Sequence, residues 1–160
     1  MVTCAVGSGT LWPPNHDLIA VGFAATAADN CDGPGSIGGG TSGGGLPMTV
    51  TVLSNEPELA QGSGNFSPDA KFANGVLRLR SERSGNGDGR IYLILSSGTD
   101  SAGNLGWCSS TVTVTHDQSA ASRASVEAKA AAAKAWYLNY KQPPTGWYVI
   151  GNGAIVGPKQ

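Results

Sequence analysis

"GVLRLRSERSGNGDGRIYLILSSG", residues 75–98, decides the fold class. Leu77 and Leu79 alternate with Arg78 and Arg80, and successive side chains of an extended strand point to opposite faces. One dry face and one wet face is the mark of a half-buried strand. Beyond the turn residues, "RIYLILSSG" (90–98) is apolar enough for a central strand. The "GNGDG" between them (85–89) reads as a hairpin turn, because Gly, Asn and Asp tolerate the backbone angles that tight turns need.

The same rhythm extends in both directions. "MTVTVLSNE" (48–56) points Met48, Val50 and Val52 inward and Thr49 and Thr51 outward. "CSSTVTVTH" (108–116) alternates through Val112 and Val114, and "DLIAVGFAATAA" (17–28) lines up Ile19, Val21 and Phe23. Strands at this spacing, separated by Gly, Asn, Asp and Pro with no helix between, predict an antiparallel sandwich over residues 1–118. The stretch "GPGSIGGGTSGGG" (33–45) breaks the rhythm and reads as a flexible loop, since glycine loses the most backbone freedom on ordering.

The chain changes character after Gln118. Residues 119–136 are Ala-rich with Glu and Lys, which favours helix; their large apolar residues form no broad stripe, so a weakly packed helix or a spacer is expected. Residues 137–160 are aromatic and β-prone: Pro143–Pro144 stops the helix, and "GWYVIGNGAIVG" reads as two short strands about a Gly-Asn-Gly turn. Trp136, Tyr140, Trp147 and Tyr148 concentrate here as a candidate interaction surface. The alternative is that this tail folds back over an edge of its own sandwich.

Charge and composition exclude several classes. Net charge is −1 and 13% of residues are charged, without the basic face of a nucleic-acid binder. No apolar run is long enough to span a membrane, and "MVTCAVGSG" lacks the basic start and apolar core of a signal peptide. Abundant Gly, Ser and Thr with little Lys suit an extracellular β-domain. No nucleophile elbow lies between a strand and a helix, and "GGGTSGGG" lacks the lysine of a phosphate-binding loop. A non-catalytic role is the expectation.

Seven strings carry a resemblance: "LWPPNHDLIAV", "ATAADNCDG", "VLSNEP", "SPDA", "LRLRSERSGNGDGRIYLI", "TDSAGN" and "VTVTHDQ", in that order. Over residues 2–118 the series resembles the immunoglobulin-like, hyalin-repeat-related modules of bacterial secreted and surface proteins. The resemblance implies an all-β, immunoglobulin-like antiparallel β-sandwich, here followed by the Ala-rich helix and the short β-prone tail, in an extracellular or cell-surface setting. In such a sandwich the first and last strands are neighbours, and Cys4 and Cys108 stand at their starts. The favoured disulfide is therefore Cys4–Cys108, with Cys31–Cys108 competing.

Four constellations are candidate sites. Asp29 and Asp32, with Asp100 and Asn104, are hard oxygen donors that would suit Ca²⁺ if their loops met at one end of the sandwich; no cofactor is otherwise required. Glu56 and Arg83 end two strands and are expected to tie them together as a carboxylate–guanidinium pair. Glu56 and Glu82 could in principle serve as glycosidase acid and nucleophile, but arginines beside them are expected to keep them ionised. "LWPPNHD" (11–17) reads as structural: Pro13 and Pro14 stiffen a crossing, Trp12 plugs an end, and Asn15 and His16 bond nearby backbone. Together these give a spacer, adhesion or substrate-targeting unit whose partners are neighbouring domains or copies of itself. The alternatives are a self-assembling subunit that adds tail 137–160 to a neighbour's sheet edge, and a carbohydrate-binding module that takes polysaccharide on exposed Trp and Tyr.

Overall fold

The structure, a computed structural model, describes residues 1–28, 35–37 and 47–160. In chain order it runs β1 (Val2–Ala5), β2 (Thr10–Leu11), β3 (Leu18–Ala20), β4 (Ala24–Ala27), β5 (Gly35–Ile37), β6 (Met48–Ser54), β7 (Ala70–Ala73), β8 (Val76–Arg80), β9 (Gly89–Thr99), β10 (Leu105–Thr115), α1 (Ala120–Tyr140) and β11 (Tyr148–Ile150). The strands form three sheets, ordered β1-β4-β5, β11-β6-β9-β10-β2 and β3-β8-β7.

This arrangement overturns the immunoglobulin-like antiparallel sandwich. The five-stranded sheet is mixed, because β2 runs parallel to β10 with Thr10 opposite Thr113 and Leu11 opposite Val114. The strands divide among three sheets rather than two. The predicted hairpin of residues 75–98 is instead a crossover: β8 pairs with β3 and β7, while β9 pairs with β6 and β10. Residues 17–28 also split. Gly22 has φ +61° and lies against the Gly7 backbone, a conformation that suits glycine, and the chain turns there from β3 in one sheet to β4 in another.

β9 is buried from Gly89 through Ser96, which a strand achieves only if both sheet faces are covered. Pairing with β6 and β10 places Tyr92, Ile94, Val52, Val112 and Val114 on one face, where they join Val21, Phe23, Leu77 and Leu79 in the main core. Ile91, Leu93 and Leu95 lie on the other face with Leu53. That second face is covered by α1 and Trp147. The helix starts at an N-cap, Ser119, whose side chain accepts from the Ser122 N–H, and ends at Lys141 in the left-handed region. It buries Val126, Ala130 and Ala133, a one-sided stripe at spacings of four and three. The stripe is narrow because two of its three members are alanines, and small side chains let the helix lie close to the sheet. The helix is therefore a packed layer rather than a free spacer.

The tail returns to its own sheet. β11 adds antiparallel to β6, with Tyr148 opposite Ser54 and Ile150 opposite Val52. The two short strands expected about the Gly-Asn-Gly turn do not pair with each other; Val156 bridges to Ser67 instead. Cys4 and Cys108 are joined by a disulfide, their Cα atoms 5.8 Å apart. Their strands belong to different sheets, so the bridge fastens sheet to sheet rather than linking neighbours within one sheet.

Candidate functional site: a closed charge cluster and an open groove

Four charged residues are wholly enclosed at the end of the main core: Asp69, Arg80, Glu82 and Arg90. Arg90 opens the most apolar strand of the chain. Its guanidinium lies 2.6 Å from Asp69 Oδ2 and 3.1 Å from Glu82 Oε1, and it donates to Ser54 Oγ at 3.1 Å and to the Glu56 carbonyl at 3.3 Å. Arg80 lies 3.3 Å from Asp69 Oδ1 and donates to the carbonyls of Pro68, His16 and Lys159. The Tyr92 hydroxyl donates to the Arg80 carbonyl at 2.7 Å. Neither Asp69 oxygen receives a well-aligned N–H despite these short separations. Its attraction to the two arginines is charge to charge, not directional.

Burial, then the neighbouring Asp69, pushes the Glu82 carboxyl up to about 8 against the opposing pull of Arg90. This corrects the expectation that arginines would keep it ionised: loss of water outweighs them. Glu82 thus holds a proton at neutral pH, and it can donate it to Asp69 or to His16 Nδ1, which lies 3.1 Å from Glu82 Oε2. Burial, Lys159 and Arg80 hold His16 below its ordinary value, so the ring is neutral and able to accept. His16 is the cluster's link to solvent. It sits at φ +66°, a costly position for a side-chain-bearing residue, stacks on Phe66 with centroids 4.7 Å apart, and donates its backbone N–H to the Ser81 carbonyl. "LWPPNHD" therefore builds a roof over the cluster. Ser81 donates to the Pro13 carbonyl, and Asn15 and Asp17 close on each other. Trp12 does not plug the end; its ring is exposed.

The predicted site residues fare unevenly. Glu56 and Arg83 form no ion pair. Glu56 Oε2 accepts the Ser84 N–H at 2.7 Å, and Arg83 donates to the His116 carbonyl. Arg90 reaches Glu56 at its backbone carbonyl and spends its charge on Asp69 and Glu82 instead. Asp100 and Asn104 do meet, but close on each other: both Asp100 oxygens accept from Asn104, and these bonds hold the Asp100 carboxyl below its usual range. Asp29, Cys31 and Asp32 lie outside the described residues, as does the Gly-rich stretch apart from β5. Among the described residues no three His, Cys, Asp or Glu side chains gather as a metal site. Asp69 and Arg90 were missed, although an arginine opening an otherwise apolar strand signals a buried partner.

A second feature lies on the helix side. Three hollows of about 310, 420 and 420 Å³ adjoin along α1 from Trp136 to Ser122, sharing Asn55 and Lys129 at one junction and Asn86, Gly87 and Asp88 at the other. Trp136 and Trp147 line one end, Glu56 the middle and His116 the far end. Lys129 pairs with Asp88 between the hollows. Trp136 packs on Tyr140 with centroids 4.3 Å apart, while Tyr148 is exposed on β11. No protein-family model, curated protein or solved structure matches the chain at a significant level.

Proposed function

We propose that the chain is a non-catalytic module of a secreted or cell-surface protein, serving as a spacer, adhesion or substrate-targeting unit. The observation that carries this reading is enclosure. Perturbed ionisable groups are what acid–base catalysis needs, yet Glu82 is shut away from solvent in one enclosed cluster with Asp69, Arg80 and Arg90. Catalysis requires such a group within reach of substrate, and here they fasten loops to strands. The Cys4–Cys108 bridge supports an oxidising, extracellular setting. The strand-addition reading has a narrower basis: β11 occupies its own chain's edge and becomes the new edge, with Val149 57% exposed. The test is to take the protein from its producing cell, trap free thiols at once, and map the peptides. Oxidised Cys4 and Cys108 support the setting, and free thiols at both refute it. In the same preparation, turnover of glycoside, peptide or ester substrates that Glu82→Gln abolishes would overturn the non-catalytic role.

A further inference from the structure

The groove along α1 is the longest run of adjoining hollows among the described residues. From Ser122 to Trp136 it follows the helix for roughly 21 Å, at 1.5 Å per residue. Its contents change along that length. At one end Trp136 is 41% exposed and held from behind by Tyr140, with Trp147 and Pro144 beside it. A flat aromatic face fixed in this way is a platform for another flat apolar face. Farther along, the lining is mostly hydroxyl, amide and backbone. Lys129, the one lysine or arginine in its lining, is paired with Asp88, so a strongly anionic polymer finds little to answer it.

Glu56 supplies the specific contact. The residue is only 7% exposed. Oε2 is taken by the Ser84 N–H, but Oε1 accepts no hydrogen bond among the described residues. Oε1 faces Gly87, where an added Cβ would stand 3.1 Å away. Glu56 lines the middle hollow, so this oxygen is open to a donor that enters the groove.

We propose that this groove binds a neutral linear oligosaccharide, one sugar ring lying on Trp136 and a hydroxyl farther along donating to Glu56 Oε1. A sugar ring combines the two chemistries that the groove separates: an apolar C–H face for the indole and a rim of hydroxyl donors for the carboxylate. The proposal rests on the reading as a non-catalytic module and names what that module would hold.

The test titrates the full chain with soluble hexasaccharides of glucose, xylose and mannose, and with an uncharged Gly/Ser decapeptide. Heat and tryptophan fluorescence are followed. One of the sugars binds and shifts the emission. Trp136→Ala weakens it about tenfold or more. Gly87→Ala, which crowds Oε1 without removing a charge, weakens it several-fold. Phe72→Ala, exposed but away from the groove, changes nothing. Thermal melts confirm that each variant is folded. No binding by any sugar at about 10 mM, undiminished binding by folded Trp136→Ala, or binding of the decapeptide alone overturns the proposal and leaves the spacer reading standing. Binding accompanied by cleavage of the sugar keeps the groove assignment and overturns the non-catalytic role.

Discussion

Arg90→Met tests whether the enclosed charge cluster holds the fold together. The substitution keeps most of the side-chain volume and removes the charge. The guanidinium now serves Asp69 Oδ2, Glu82 Oε1, Ser54 Oγ and the Glu56 carbonyl at once. Without it Asp69 keeps one arginine, Arg80, at 3.3 Å and off axis, besides the proton that Glu82 can offer. Removing one member of a buried pair leaves the other charge stranded, at a cost of about 3–5 kcal/mol. Domains of this kind have roughly 5–15 kcal/mol in total, so the loss is a large share of it. At about 2–4 °C per kcal/mol the melting temperature falls by roughly 6–20 °C. Glu82 suffers less than Asp69, because it already holds its proton at neutral pH. An unpaired buried carboxylate escapes its penalty by taking up a proton, so the difference between variant and wild type narrows at acid pH. Urea unfolding followed by far-ultraviolet circular dichroism at pH 7 and pH 4 gives both numbers. A loss under about 1 kcal/mol at pH 7, or a larger loss at pH 4 than at pH 7, would refute the reasoning.

Glu82→Gln should flatten the pH dependence of stability. The folded-state value of about 8 lies above the ordinary 4.5, so the Glu82 contribution is complete below about pH 4.5 and is lost as pH rises through 8. The variant therefore gains on wild type between those limits, and parallel stability curves across them would contradict the assignment. Reducing the Cys4–Cys108 bridge frees a loop closed over a sequence separation of 104 and should cost up to about 4.7 kcal/mol in the chain-entropy model. Identical urea midpoints with and without reductant would show that the bridge does nothing for stability. Ile150→Asp places a charge in a buried position of β11 and should release the strand, exposing the β6 edge to other copies. Light scattering should rise with concentration, and amide exchange at residues 148–150 should become fast. Unchanged exchange there would mean that β11 is not held by Ile150.

The parts of the fold that depend on side-chain alternation could be read directly. Met48 through Ser54, Val76 through Leu79 and β10 stand where their two-residue period put them, and β9, read from its apolar run, is central. What alternation does not encode is which strand pairs with which. The turn 85–89 suited a hairpin, yet its flanking strands go to different sheets, because β9 is claimed by β6 and β10 on both edges. The parallel contact of β2 is two residues long, too short to leave a pattern. Arg80 shows the limit of the method most plainly. Its spacing from Arg78 predicts solvent, but carbonyls from Pro68, His16 and Lys159 enclose it, and they come from three distant segments. The helix was visible from its alanines, but its packing was not, since a stripe of Val126, Ala130 and Ala133 resembles no stripe at all. Trp136 is exposed as its place in the aromatic stretch suggested, whereas Trp147, singled out with it, packs against the core face under the helix. Glu56 was singled out with the wrong partner.

The enclosure of Arg80 has a consequence for the order of events in biosynthesis. Two of its carbonyl partners lie far from it on either side, His16 64 positions before and Lys159 79 after, and the Lys159 ammonium itself reaches back 144 positions to the Asn15 carbonyl. Contacts so distant in sequence form late and slowly. As the polypeptide leaves the ribosome, Arg80 can meet His16, Pro68 and Asp69 early, but its Lys159 partner emerges 79 positions later. The enclosure of Arg80 is therefore complete only once synthesis has passed residue 159 and its carbonyl has reached the guanidinium.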